Sequence, residues 1–282
     1  MAAGEVTAIR PAAAPLRARS GLLLIVVSVL GLLAFAWPLV VAHGGAGNDS
    51  HAADAPWIVA LLVPLLLALL AAELSNGALD AKAVAMLGVL AAAGSALRLV
   101  SGGLAGFEFV FFLLLPAGRV FGRGFGFLLG TLTLFASALL TGGIGPWLPF
   151  QMLAAGWVGL GAACLPGRLR GRAEIVALAT YGALAGLAYG VLMNLWFWPF
   201  TVADGSGISF DESLGLVTNL RRFWAFHLVT SLGYDIPRAA VNVTLTVAVG
   251  SPILAALRRA SARASFGATT QFRPSASSAS RG

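Results

Sequence analysis

The sequence predicts an all-α integral membrane protein, a polytopic bundle of helices. Three observations carry that prediction. Apolar residues make up 59% of the 282 residues and charged residues only 10%, whereas a soluble domain carries about 25% charge. Mean hydropathy is +0.89. Glycine accounts for 35 residues, well above the usual share of about 7%, which points to helices that approach one another closely. These figures exclude a soluble enzyme, a nucleic-acid-binding domain and a secreted disulfide scaffold.

A membrane-crossing helix needs about 20 mostly apolar residues, and the chain offers eight candidates. Gly21–Ala42 follows Arg10, Arg17 and Arg19. Its apolar run exceeds the roughly 7–15 residues of a signal-peptide core, so a retained helix is expected; the alternative is cleavage after the small residues Val40 and Ala42. Trp57–Ala72 is second, with Pro64 inside, and Ala83–Val100 third. Phe107–Ala117 is apolar but brief, with Pro116 expected to close it. Phe125–Thr141, Pro149–Leu165 and Glu174–Phe200 follow, the last long enough to need tilt. Ile236–Leu257 is the eighth. Phe223–Gly233 is read as an interfacial or re-entrant piece, because another crossing would move the Arg258, Arg259 and Arg263 tail to the outside.

The charge pattern fixes the expected orientation. Net charge is +7, from 17 Arg and the single Lys82. With the N-terminus inside, 14 of the 18 basic residues fall on the cytoplasmic side, leaving Arg98, Arg221, Arg222 and Arg238 outside. The basic excess is thus a topology signal and needs no nucleic acid. Arg in place of Lys, with abundant Ala and Gly, fits a GC-rich bacterial genome. The expected location is the bacterial inner membrane, with both termini cytoplasmic. His43–Pro56 and Thr201–Leu220 become outer loops, and the tail from Ala260 a solvated, disordered segment. His43, Asp49, His51 and Asp54 have metal-ligand chemistry but no fixed spacing, so a solvated loop without metal is expected. Cys164 has no second cysteine to pair with.

Small residues recur at every fourth position in three series: Gly118/Gly122/Gly126/Gly130, Gly182/Gly186/Gly190 and Gly88/Ala92/Ala96. That spacing places each series on one helix face, where small residues let backbones meet in lipid. The two glycine-only series are read as packing within the chain.

Phe107–Pro166 contains PAGRVFG, the glycine-rich entry GFGFLLG, the turn GGIGPWLPFQM and the close CLPG; the last span adds DIPRAAVN and GSPILAALRR. In combination these resemble the substrate-binding S component of an energy-coupling factor (ECF) type vitamin transporter, over about Ala81–Arg259. The resemblance implies a cytoplasmic segment at 1–20, two additional N-terminal helices within 21–80, a six-helix core at 81–259 and a tail at 260–282. It implies capture of a vitamin or related micronutrient, of the cobalamin type, from outside. Delivery would run through a membrane scaffold subunit driven by two ATPases, so ATP is used by partners and this chain needs no cofactor. Family members meet the scaffold through an AxxxA-like face, which maps here onto Gly88, Ala92 and Ala96.

In the predicted orientation, Arg98, Glu108, Gln151, Asn194 and Asn242 lie toward the outer half, with Trp147 and Trp198 nearby. Such polar groups are costly at membrane depth and ordinarily face a cavity or a partner. Amides suit the edge of a heteroaromatic ring and indoles its face, so these seven residues form the expected substrate-binding set. Plainer readings stand beside it: an aromatic belt for the tryptophans, an Arg98–Glu108 ion pair closing a loop, and Asp235 before Pro237 as a helix N-cap. His227 is read as an interface residue. Enzymatic activity is not expected. The HExxH and P-loop signatures are absent, and Ser95 with distant His227 makes a poor protease pair. The alternatives to an S component are a permease acting alone and a membrane assembly protein without transport.

Overall fold

The computed structural model describes residues 18–40, 60–61, 64–66, 68–69, 71–72, 81–101, 106–198, 207–211 and 213–264. Their regular structure is helical. The helices are α1 (Ala18–Val40), α2 (Ala81–Ser101), α3 (Val110–Phe121), α4 (Arg123–Thr141), α5 (Leu148–Cys164), α6 (Gly171–Phe197), α7 (Leu216–Thr230) and α8 (Leu232–Ala264). The described residues within 60–72 are also helical, and Leu66 and Leu69 join the common core.

Four helices are long and apolar enough to cross a membrane: α2, α4, α6 and the stretch Leu232–Arg263 of α8. This is a membrane protein. Gly21–Ala36 of α1, along with α3 and α5, is apolar but shorter. Large aliphatic side chains such as Leu22, Val176, Leu184 and Val247 stand more than half exposed. In water such a surface would aggregate; against lipid it carries no such penalty.

The expected fourth span has a different role. Helix α3 has only 12 residues, about 18 Å at 1.5 Å per residue, too short for a hydrocarbon core of about 30 Å. All nine residues from Val110 to Gly118 are buried. It is apolar on every face because protein surrounds it on every side. Pro116 does not end it. The helix continues to Phe121 and stops at Gly122, whose φ of +97° favours glycine.

The first glycine series packs α3 and α4 against α5. A Cβ added at Gly118 or Gly126 would strike the carbonyl oxygen of Gly159, and one at Gly130 that of Ala155. Backbone meets backbone along this seam, which Ala would already prevent. The second series packs α6 against α8, where Cβ atoms at Gly182, Gly186 and Gly190 would meet Leu115 and Asn242, Asn242 and Arg238, and Asp235 respectively. Both series are internal packing, as expected. The third behaves otherwise: Gly88, Ala92 and Ala96 are exposed, while Leu87, Leu90, Ala91, Gly94 and Ser95 turn the opposite side of α2 into the bundle. A Cβ at Gly88 would meet nothing within 4 Å.

The segment expected as interfacial, Phe223–Gly233, is divided: through Thr230 it belongs to α7, which begins seven residues earlier than Phe223, at Leu216, and its last two residues open α8. Asn219, Phe223, Phe226 and His227 are buried. Only Ser231 separates α7 from α8. The expected interface residue His227 is therefore an interior residue.

Candidate functional site

Connectivity brings the C-terminal ends of α2, α4 and α6 to the same end of the bundle as the N-terminal ends of α3, α5 and α8. Most of the described intramembrane polar residues gather there, in two groups.

The first group starts on α8. Asp235, Arg238, Asn242 and Thr246 recur at three- and four-residue intervals and so share one helix face. That face lies on the glycine track of α6, which leaves room for polar side chains where any Cβ would crowd them. Arg238 donates from Nη1 to Asp235 Oδ1 at 2.6 Å and to the Gly186 carbonyl at 3.3 Å. Its Nε donates to Glu108 Oε2 at 3.0 Å. The guanidinium lies 5.2 Å from the ring centre of Tyr189 and 6.0 Å from that of Phe111. Charge-assisted bonds and ring faces together compensate a buried cation.

The group continues onto α7. Asn194 Nδ2 bonds His227 Nδ1 at 2.9 Å and also donates to Ser231 Oγ. An amide nitrogen only donates, so His227 Nδ1 accepts in this arrangement and Nε2 faces Asp235. That nitrogen is 3.6 Å from Asp235 Oδ2, an oxygen with no hydrogen-bond partner. Asn242 is fully buried and donates to the Gly182 carbonyl at 2.9 Å.

The second group joins α2, α4 and α5. Arg98 donates from Nη1 to Ser137 Oγ at 2.9 Å and from Nη2 to Gln151 Oε1 at 3.3 Å. Ser95, one turn below, donates to the Ala91 and Thr133 carbonyls. The neighbouring Ser and Arg of α2 thus hold the helix to α4 and α5.

At the opposite end, Glu174 is bonded by Arg119 Nε at 2.8 Å and by Arg258 Nη2 at 2.6 Å. Arg119 also donates to the carbonyls of Leu165, Pro166 and Leu169. This cluster pins the α5–α6 turn, and its bonds are internal.

The expected residues therefore divide. Arg98 and Gln151 meet directly, while Asn194 and Glu108 belong to the Arg238 group. Glu108 does not pair with Arg98: Arg238, 130 positions along the chain, takes it instead. Asp235 is no N-cap, since it lies inside α8 with its carboxylate on Arg238. Trp147 closes the α4–α5 turn through its indole N–H to Gly143 O. Trp198 is fully buried, donates to Ile208 O at 2.7 Å and packs on Phe210 and Phe223. Both indoles are thus occupied in local structure. His227, Arg238, Ser137 and Tyr189 were absent from the expected set. The spacing of Asp235, Arg238 and Asn242 opposite a glycine series was the available signal for Arg238.

An apolar groove of about 300 Å³ runs between α5 and α6, lined by Trp157, Val158, Tyr181, Leu184, Tyr189 and Leu192 among others. Its polar edge is satisfied, because the Tyr181 hydroxyl bonds the Trp157 and Val158 carbonyls. Tyr189 links it to the Arg238 group. His43, Asp49, His51 and Asp54 lie outside the described residues. Among the described residues no three His, Cys, Asp or Glu side chains gather closely enough to hold a metal. No protein-family model, curated protein or solved structure matches this chain.

Proposed function

We propose that this chain is the substrate-binding S component of an ECF-type importer in a bacterial inner membrane. Helices α2 to α6 and α8 form the six-helix core, and α1 with the 57–72 region supplies the two additional helices. With both termini cytoplasmic, the end that carries Arg98, Gln151, Glu108 and Arg238 faces outward and receives a vitamin-class molecule, of the cobalamin type by resemblance. A scaffold subunit and two ATPases complete the importer.

The observation that carries this reading is the contrast among the three small-residue series. Two are consumed by internal contacts, whereas Gly88, Ala92 and Ala96 remain exposed on a membrane-spanning helix. Such a face suits reversible docking. Close approach brings many weak contacts, and Gly and Ala lose almost no side-chain entropy on burial.

Substrate uptake and substrate retention, measured in parallel on Ala92→Leu and Ala96→Leu, test the reading. A docking face predicts lost uptake with retention intact. Equal loss of both would contradict it, as would uptake at the original rate.

A further inference from the structure

We infer that Arg98, with Gln151 beside it and Ser137 holding its guanidinium in place, binds the carboxylate or phosphate oxygens of an anionic ligand. This rests on the reading above in one respect: the anion is taken as part of the captured molecule.

Arg98 lies three residues before the end of α2. A terminal arginine would ordinarily extend to the interface and keep its charge in water. This one turns inward, onto Ser137 of α4 and Gln151 of α5. Both partners are neutral, although a guanidinium at membrane depth ordinarily pairs with an opposite charge or backbone carbonyls, or faces a cavity. Among the described residues, the carboxylates at this end of the membrane-spanning helices are engaged elsewhere, with Glu108 and Asp235 both on Arg238.

Donors remain beside the charge. A guanidinium carries five N–H groups, and two make the bonds to Ser137 and Gln151. Gln151 presents Oε1 to Arg98, which leaves its Nε2 as a donor. Ser137 Oγ accepts from Arg98 and is fully buried, so it positions the guanidinium from behind. Donors of Arg98 and Gln151, around a cation that meets no carboxylate among the described residues, favour a planar or tetrahedral oxyanion, which Arg binds in a two-pronged fashion. Arg98 and Gln151 are only partly buried, so a ligand can reach them.

The test uses the full chain purified in dodecyl maltoside, with acetate and inorganic phosphate as probes at constant ionic strength. The midpoint of thermal unfolding is followed with increasing anion. Wild type is expected to show a rise that grows with the logarithm of anion concentration once Kd is passed. Arg98→Gln is expected to need about tenfold more anion or higher, the equivalent of a lost charged hydrogen bond. Arg98→Lys keeps the charge but not the two-pronged contact, so its response is expected to fall between those of wild type and Arg98→Gln, and Arg221→Gln, exposed on α7, is expected to respond as wild type. Matching helical circular dichroism shows that each variant is folded.

A lipid arm separates the two sources of such an anion. Nanodiscs of phosphatidylcholine are compared with nanodiscs containing phosphatidylglycerol. A rise confined to phosphatidylglycerol and abolished by Arg98→Gln upholds the oxyanion site and assigns it to a lipid headgroup. A wild type indifferent to every probe overturns the proposal, as does an undiminished response in Arg98→Gln. Neither result touches the uptake and retention test at Ala92 and Ala96.

Discussion

Asn242 of α8 donates its side-chain amide to the backbone carbonyl of Gly182 on α6, at 2.9 Å and out of contact with solvent. The contact is tight, since a Cβ at position 182 would lie 2.6 Å from a methyl of Leu115 and 3.3 Å from Asn242 Cβ. It is one rung of a ladder in which Gly182, Gly186 and Gly190 receive Asn242, Arg238 and Asp235. Interhelical polar bonds in membranes contribute about 0.6 kcal/mol on average and at most about 1.7. Asn242→Ala is therefore expected to lower thermal stability only slightly. Gly182→Leu, which obstructs the helix contact itself, is expected to abolish the folded protein. Fluorescence-detected size exclusion of the two variants checks the contrast.

Arg238 bears a heavier role. Removing one member of a buried ion pair typically costs about 3–5 kcal/mol, because the partner charge is left uncompensated. Arg238→Gln strands Asp235, whose side chain is 2% exposed, and releases Glu108. Its melting midpoint is expected to fall sharply. The double variant Asp235→Asn with Arg238→Gln removes the stranded charge and is expected to recover part of the loss. Thermal unfolding in detergent reads both.

The three small-residue series predict opposite responses to one added methyl. At Gly126 it meets the Gly159 backbone, so Gly126→Ala is expected to disrupt the α4–α5 seam. At Gly88 it meets nothing within 4 Å. Gly88→Ala is expected to leave stability unchanged or to raise it by up to about 1 kcal/mol, from the lower helix propensity of glycine. Melting curves of both variants decide the point.

Much of this architecture was legible in the sequence, for a definite reason. Helices α2, α4, α6 and α8 are apolar over lengths that fit a bilayer, and hydropathy reports length and composition directly. What failed was environment and partnership. The apolar run at 107–117 reads the same whether it faces lipid or protein, so nothing local revealed that α3 is the enclosed centre of the bundle. Glu108 is ten positions from Arg98 and 130 from Arg238, and proximity along the chain suggested the wrong pair. His227 looked peripheral because it lies in 223–233, a stretch too short to cross and one whose crossing would have moved the Arg258, Arg259 and Arg263 tail outside. The helix in fact begins at Leu216 and turns Asn219, Phe223 and His227 inward together. Trp198 shows the same limit, since an indole composition suited to a ligand face was spent on holding Ile208 and Phe210.

Outside the membrane-spanning helices, Asp211 carries a pH signature. Its carboxylate accepts from the hydroxyl and the backbone N–H of Ser213, at 2.6 and 2.9 Å. These bonds, the hydroxyl first, hold its pKa below the usual carboxylate range. A depressed folded-state value means that the turn's stabilisation is complete above the ordinary Asp pKa and is lost as pH falls through the lowered one. Exchange of the Ser213 amide is expected to stay slow through mild acid and to quicken only below the normal carboxylate range. Asp211→Asn removes that dependence, and hydrogen exchange across pH measures it.

On the proposed function, the exposed face of α2 docks a scaffold subunit driven by ATPases. Gentle isolation of the tagged full chain from membranes of its native host, followed by mass spectrometry of what accompanies it, tests this most directly. The account predicts a polytopic scaffold subunit and two ATPases with wild type, lost with Ala92→Leu or Ala96→Leu. A wild-type preparation free of ATPases, or one that retains them undiminished in both variants, would contradict it.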